Sequence, residues 1–435
     1  MKALNFNQDA TCCVVTTAPH SLTIYNCDPF GKCFELDTRT RNNTGSNDSL
    51  DGTALDASVA NEEDNGIIVQ MLFSTSLVAI ADRNQGVKKG KKLKIVNTKR
   101  KSTICEIVFP HEIVDVVMNR KRMCILLESD QIFIYDISCM KPMTTIDLWE
   151  DHIKSNSMVA NIAENMRVQS DERNNTTRKR RNSVRSRLRP RIALSNDDRS
   201  ILCYTAYSSN NNRPDSFLLN DIVVYDALNV KPLNYLNTVH KGNIACLAVS
   251  HDGKLVTTAS DKGTIVRVFN TGVDMQFDSS NSLVYEFRRG SRPCNLYQLI
   301  FDRKTTKIGC VGDSDTIHIF RLSLNQDTDT APELDSAEEE LLEQNNDSSL
   351  KKVSKDHSKQ LKHFLSKKIR ESIPNQNLRR DFAHISMKES VRYCLGFPEE
   401  FPSQVYVAGD DGKFNVYSLP STPGECVLMK TSIFN

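Results

Sequence analysis

A five-residue pattern recurs along the chain: apolar, any, apolar, bulky, polar. It reads Leu22-Thr23-Ile24-Tyr25-Asn26 near the start, then Leu93-Lys94-Ile95-Val96-Asn97 and Ile132-Phe133-Ile134-Tyr135-Asp136. Further copies are Ile222-Val223-Val224-Tyr225-Asp226, Val266-Arg267-Val268-Phe269-Asn270, Ile317-His318-Ile319-Phe320-Arg321 and Phe414-Asn415-Val416-Tyr417-Ser418, seven in all. Alternation of period two marks a strand. Polar turns precede several copies: Ser260-Asp261-Lys262-Gly263, Gly312-Asp313-Ser314-Asp315 and Asp410-Asp411-Gly412-Lys413. Where copies lie closest they are about forty residues apart, the size of one four-stranded propeller blade. Upstream strands fit into that spacing, as at 244–250 and 255–259 in the fifth unit. The pattern predicts an all-β chain folded as one seven-bladed β-propeller over residues 1–435. The competing arrangement is a pair of β-sandwiches. Strong helical periodicity is confined to one segment.

The Trp-Asp dipeptide of standard WD40 repeats is missing: the sole tryptophan, Trp149, precedes Glu150. The expected propeller is therefore a divergent, WD40-like one. Three gaps exceed the blade spacing. Residues 38–65 are rich in Asn, Ser, Asp and Gly, residues 151–190 are polar and end in a basic run, and residues 323–381 are acidic and then basic. Such composition favours disordered loop insertions over further domains. They are expected to project from blades 1–2, 3–4 and 6.

The net charge is +2, so any binding to nucleic acid or membrane must come from local patches. Thirteen cysteines are scattered without CxxC pairs or zinc-ligand spacing, which fits reduced thiols in a cytosolic or nuclear protein. The opening residues lead directly into a strand pattern with no signal peptide, and no apolar run is long enough to span a bilayer. A nucleophile motif, metal spacing and a Gly-rich phosphate loop are all missing, so the chain reads as a non-enzyme with no cofactor.

Phe287-Arg288-Arg289-Gly290 closes a predicted strand over 283–289. Successive side chains of a strand point to opposite faces, so Arg288 and Arg289 cannot serve one pocket. Arginine suits planar, bidentate recognition of phosphate. Thr264 and Arg267 precede this strand, and Ser314, Thr316 and His318, spaced by two, follow it. Hydroxyls, an imidazole and arginines form a donor set for phosphate. Outside this setting, each is more commonly structural.

Two other segments carry charge. Arg178-Lys179-Arg180-Arg181, continuing through Arg185, Arg187, Arg189 and Arg191, suits anionic lipid, nucleic acid or a nuclear signal. The plainer alternative is a solvated loop. In the third insertion, Leu361, Phe364, Leu365 and Ile369 share one helical face, Ile373 extends it, and Pro374 ends it. With Lys359, Lys362, Lys367, Lys368 and Arg370 alongside, this reads as a membrane-surface helix near 358–373. Docking of the helix on its own propeller is the alternative.

On Phe287-Arg288-Arg289-Gly290, His240-Lys241-Gly242, Ser260-Asp261-Lys262-Gly263-Thr264 and Thr316-Ile317-His318, the whole chain resembles the PROPPINs, seven-bladed propellers that bind phosphoinositides in autophagy. Cys27-Asp28-Pro29-Phe30-Gly31 and Leu72-Phe73-Ser74-Thr75-Ser76 resemble the fungal branch that acts in cytoplasm-to-vacuole targeting. The resemblance implies two headgroup sites for phosphatidylinositol 3-phosphate and 3,5-bisphosphate. Site 1 would comprise His240, Ser260, Thr264, Arg267 and Arg288, between blades 4 and 5. Site 2 would comprise Arg289, Ser314, Thr316 and His318, between blades 5 and 6. Relatives often carry a basic residue where this chain has Asn295, and Arg292 is the nearby substitute. The resemblance further implies a coiled-coil scaffold of the lipid-conjugation machinery docking near blades 2 and 3, where Asp115 and Arg120 read as a charged pair at a blade edge. It implies a cytoplasmic protein held peripherally on the phagophore assembly site, endosomes and vacuole. No nucleic acid partner is expected; a general scaffold whose basic loop binds nucleic acid is the rival function.

Overall fold

Each of the seven pattern copies forms the third strand of its own sheet. The computed structural model describes residues 2–18, 21–37, 66–82, 90–149, 189–209, 217–274, 282–322, 379–388 and 390–435. Blade 1 is β1 (Lys2–Phe6), β2 (Cys12–Ala18), β3 (Ser21–Cys27) and β4 (Phe30–Asp37). Blade 2 is β5 (Ile67–Met71), β6 (Leu77–Asp82), β7 (Lys92–Asn97) and β8 (Ser102–Val108). Blade 3 is β9 (Ile113–Met118), β10 (Arg122–Leu127), β11 (Gln131–Asp136) and β12 (Lys141–Asp147). Blade 4 is β13 (Ile192–Leu194), β14 (Ile201–Ser209), β15 (Phe217–Asp226) and β16 (Lys231–Leu236). Blade 5 is β17 (Ile244–Val249), β18 (Leu255–Ser260), β19 (Ile265–Asn270) and β20 (Leu283–Arg288). Blade 6 is β21 (Leu296–Phe301), β22 (Lys307–Gly312), β23 (Thr316–Arg321) and β24 (Ala383–Ser386). Blade 7 is β25 (Tyr393–Gly396), β26 (Gln404–Gly409), β27 (Lys413–Ser418) and β29 (Val427–Ile433). Between the last two strands of blade 7, β28 (Gly424–Glu425) crosses to pair in parallel with β24 of blade 6.

The fold is a seven-bladed β-propeller, and its seams explain the recurring pattern. The third and fourth positions of each copy are adjacent, so they point to opposite faces of the blade. In a propeller both faces are covered, so both must be apolar. Ile24 packs into the seam between blades 1 and 2, while Tyr25 packs into the seam between blades 7 and 1. Val268 and Phe269 divide in the same way between the 5–6 and 4–5 seams, and Ile319 and Phe320 between the 6–7 and 5–6 seams. The core is thus seven radial clusters rather than one central one. In six blades the pairing of the third strand with the outermost strand shifts register between these two positions, as at Ile24/Tyr25 in blade 1 and Ile134/Tyr135 in blade 3. A bulge there re-aims the bulky side chain. Exposure rises outward: β10 is buried along its length, while β8 and β29 are mostly exposed.

The ring closes without exchanging a strand among the described residues. Blade 1 comes entirely from the early part of the chain and blade 7 entirely from the late part. Aromatic rings hold this seam: Phe30 stacks on Phe414 at 5.1 Å, and Tyr25 meets Phe434 edge-on at 5.0 Å. The Tyr25 hydroxyl donates to the Asn435 carbonyl.

The first two long insertions fall in the links between blades 1 and 2 and blades 3 and 4; the third falls inside blade 6, between β23 and β24. Their interiors lie outside the described residues, so the amphipathic stripe Leu361, Phe364, Leu365 and Ile369 and the run 178–188 carry no structural statement. The described margins belong to the blades: Arg191 and Thr205 exchange backbone and side-chain hydrogen bonds at the start of blade 4, and Asp381 packs beside β23.

Candidate functional site

An antiparallel meander sends the first-to-second and third-to-fourth turns of a blade to one end, and the second-to-third turn and the blade-to-blade links to the other. His240, the 261–264 turn, Arg289 and the 313–315 turn all occupy the latter end. Strand β20 delivers the two arginines there. Its register with β19 pairs Arg267 with Glu286 and Ile265 with Arg288. These four share the face turned towards blade 4, the face on which Phe269 enters the 4–5 seam. Phe287 points the other way, into the 5–6 seam with Val266 and Val268.

The Arg288 side chain is half-buried and makes no hydrogen bond or ion pair with another described residue. Ser260 ends β18 one residue beyond the Ala259–Val266 pair, in the row of Ile265 and Arg288. Arg267, in contrast, is occupied. Its Nε and Nη2 donate to Glu286 Oε1 at 2.8 and 2.7 Å, and its Nη1 donates to the Val239 carbonyl at 2.7 Å. The same Nη1 lies 3.5 Å from His240 Nδ1, and His240 Nε2 meets the Thr258 hydroxyl at 3.0 Å. Burial, then the Arg267 charge, pushes the His240 pKa down to about 4, so the imidazole is neutral. The structure therefore brings His240, Ser260, Arg267 and Arg288 to one face. Thr264 serves through its backbone: its carbonyl accepts from Arg289 N at 2.9 Å.

Arg289 lies past the strand end, on the side of blade 6. Its Nε donates to the Gly263 carbonyl at 2.7 Å, and its Nη2 to the Arg292 carbonyl. Gly263 has φ +59°, and a Cβ there would meet the Cys294 carbonyl at 2.0 Å, so only glycine lets the two turns approach. His318 points into the same seam as Phe320, which stacks on Phe287 at 4.8 Å. His318 Nδ1 lies 2.9 Å from Asp381 Oδ2, and His384 Nδ1 lies 3.8 Å from that oxygen. Burial alone would raise Asp381, but the His318 hydrogen bond and the two imidazoles hold its carboxyl below the usual carboxylate range. The Ser314 and Thr316 hydroxyls donate locally, to the Thr316 carbonyl at 3.1 Å and to Asp315 Oδ1 at 3.0 Å. Asn295 is tied to Asp313 by two bonds of 3.0 and 2.8 Å, so it braces the turn.

Glu286 and Asp381 were missed in the sequence. Glu286 had a signal, since the parity that separates the arginines also puts it on the face of Arg288. Asp381 had none, lying 63 residues from His318 behind a long insertion.

Asp115 and Arg120 do not form the expected pair at a blade edge. Asp115 pairs with Leu126, which faces the 3–4 seam. Burial raises its carboxyl pKa against the opposing charge of Arg191 in blade 4. Arg120 is exposed in the turn after β9, with its guanidinium 4.5 Å from the centroid of Phe73 in blade 2. Five residues separate them, an odd step, so the pleat of β9 sets the two on different sides. Arg120 also lies at the blade end opposite Arg288 and Arg289.

Among the described residues no cluster of His, Cys, Asp and Glu is arranged to hold a metal ion, and no helix is long and apolar enough to cross a membrane.

The PROPPIN family model matches residues 194–434. The chain is 56% identical over 497 aligned residues to Autophagy-related protein 21 of Saccharomyces cerevisiae S288c, with 100% of each covered. It is 43% identical to Autophagy-related protein 21 of Kluyveromyces lactis over 438 residues, again with 100% of each covered. Among solved structures, it resembles the complex of KlAtg21 with the coiled coil of AgAtg16 at TM-score 0.70 and 39% identity, covering 100% of both chains. Hsv2 of Kluyveromyces marxianus shares the fold at TM-score 0.59 and 15% identity, with 100% of both chains covered.

Proposed function

The chain belongs to the PROPPIN family, and we propose that it is a peripheral membrane adaptor of autophagy that reads phosphatidylinositol 3-phosphate and 3,5-bisphosphate through the Arg288 and Arg289 pockets. The observation that carries this reading is the placement of the two arginines on opposite faces of one strand end, each opening on its own seam. In the first pocket the Arg288 guanidinium, which no described residue engages, grips a phosphate, with the Ser260 hydroxyl in the same row. In the second, Arg289 is aimed by Gly263 and Arg292, and His318 by Asp381.

A hydrogen bond to a charged group contributes roughly 1.5–3 kcal/mol, so one shallow pocket on a hydrated headgroup binds modestly. Two pockets on one rigid strand end raise the effective concentration of the second headgroup once the first is held. Insertion of the stripe Leu361, Phe364, Leu365 and Ile369 adds apolar burial, which acts only at a membrane. No chemical step is involved. The similarity to KlAtg21 in complex with a coiled coil supports a coiled-coil scaffold as partner, docked at the opposite blade end through Arg120. Membrane and scaffold then engage different ends of the blades at once, on autophagic, endosomal and vacuolar membranes.

Flotation with phosphatidylcholine vesicles tests this. Wild type is expected to float with vesicles containing either phosphoinositide and not with vesicles lacking both. Changing Arg288 and Arg289 together to Thr is expected to abolish flotation with an unchanged circular dichroism spectrum. A folded double variant that still floats would sink the reading.

A further inference from the structure

We propose that Glu286 is a specificity-determining, positioning residue of the pocket between blades 4 and 5. It holds Arg267 and offsets its charge, so that the pocket takes a headgroup presenting one phosphate in preference to one presenting two. This rests on the reading of that pocket as a headgroup site.

The cross-strand pair is close and only part-exposed. Arg267 Nη2 and Nε lie 2.7 and 2.8 Å from the same Glu286 oxygen, and the side chains are 26% and 29% exposed. A guanidinium has five N–H donors, and it grips phosphate through two parallel bonds from one edge. Here Nε and Nη2 point at Glu286, and Nη1 points at the Val239 carbonyl. The Nε–Nη2 edge of Arg267 is thus taken by Glu286, and Nη1 is engaged as well, which leaves the guanidinium poorly placed to grip a second phosphate. Arg288, two residues from Glu286 on the same face, keeps its donors.

Charge points the same way. Arg267 and Arg288 bring two positive charges to this face, Glu286 removes one, and His240 is neutral. Glu286 and Arg288 are two residues apart, about 7 Å along the strand. In a half-buried seam that distance is inside the range of weak screening. A second phosphate would meet a carboxylate and a cation already paired.

The test uses the full chain in an Arg289→Thr background, so that the first pocket alone reads the vesicle. Binding is measured to phosphatidylcholine vesicles carrying phosphatidylinositol 3-phosphate or 3,5-bisphosphate. Glu286→Gln, nearly isosteric, is expected to shift preference towards the bisphosphate by about tenfold, equivalent to about 1.4 kcal/mol. The further change Arg267→Gln in the same chain is expected to remove that shift, because the freed guanidinium is what grips the second phosphate. A thermal melt checks that each variant is folded. Unchanged preference in folded Glu286→Gln overturns the inference, as does a shift that survives loss of Arg267. If the wild-type chain binds neither vesicle, the headgroup reading fails first and takes this inference with it; if wild type binds and the Arg289→Thr chain does not, this inference is overturned by itself.

Discussion

His240 shows how a single side chain near the proposed site links its chemistry to the stability of the fold. It is 3% exposed, bonded to Thr258 and close to Arg267. Its folded pKa of about 4 lies below the unfolded value near 6.5. The stability it contributes is therefore complete above pH 6.5 and is lost as pH falls towards 4, because the unfolded chain takes up the proton first. Between about pH 7 and pH 5 the loss through this group is about 2 kcal/mol. Urea unfolding at the two pH values should show His240→Gln losing correspondingly less than wild type. Equal losses in both proteins would remove the buried neutral imidazole as the cause.

At the scale of the strand, the recurring five-residue pattern was readable because a propeller blade is buried on both faces. Two neighbouring apolar side chains, here such pairs as Val268 and Phe269, then become a repeating requirement. The same periodicity separates Arg288 from Arg289 without any structure. It does not say which seam a side chain enters, nor which cross-strand partner it meets. Asp115 was misjudged on the first count: its parity sends it towards Arg191, away from Arg120. The pairing of Arg267 with Glu286 was not legible on the second, since it depends on the β19–β20 register. The seam beneath the proposed second pocket gives an element-scale expectation. Phe320 is fully buried and stacks on Phe287 at 4.8 Å and on the His318 ring at 6.3 Å. Phe320→Ala should destabilise the protein by about 3–5 kcal/mol. At a temperature where the variant is still folded, its headgroup binding should also weaken, as read by unfolding midpoints and flotation. Unaltered binding in that variant would show that the second pocket does not depend on this stack.

For the whole molecule, the decisive contact is the seam where blade 7 meets blade 1. No shared strand reinforces it among the described residues, so the rings of Tyr25, Phe30, Phe414 and Phe434 carry the closure. Phe434 is 3% exposed. Phe434→Ala should therefore cost about 3–5 kcal/mol and raise amide hydrogen exchange first in β1, β25 and β29. Exchange that rises evenly over all seven blades would instead mean that the ring opens as one unit. The same seam governs the order of events during translation. Blade 1 presents Cys13, Val15 and Tyr25 to a neighbour that does not exist until Phe414 and Phe434 have been synthesised. At about 5–20 residues per second, the intervening chain takes roughly 20–80 s to make. For that interval the nascent protein is an open arc with an uncovered apolar flank, and it is then that chaperones have most reason to hold it.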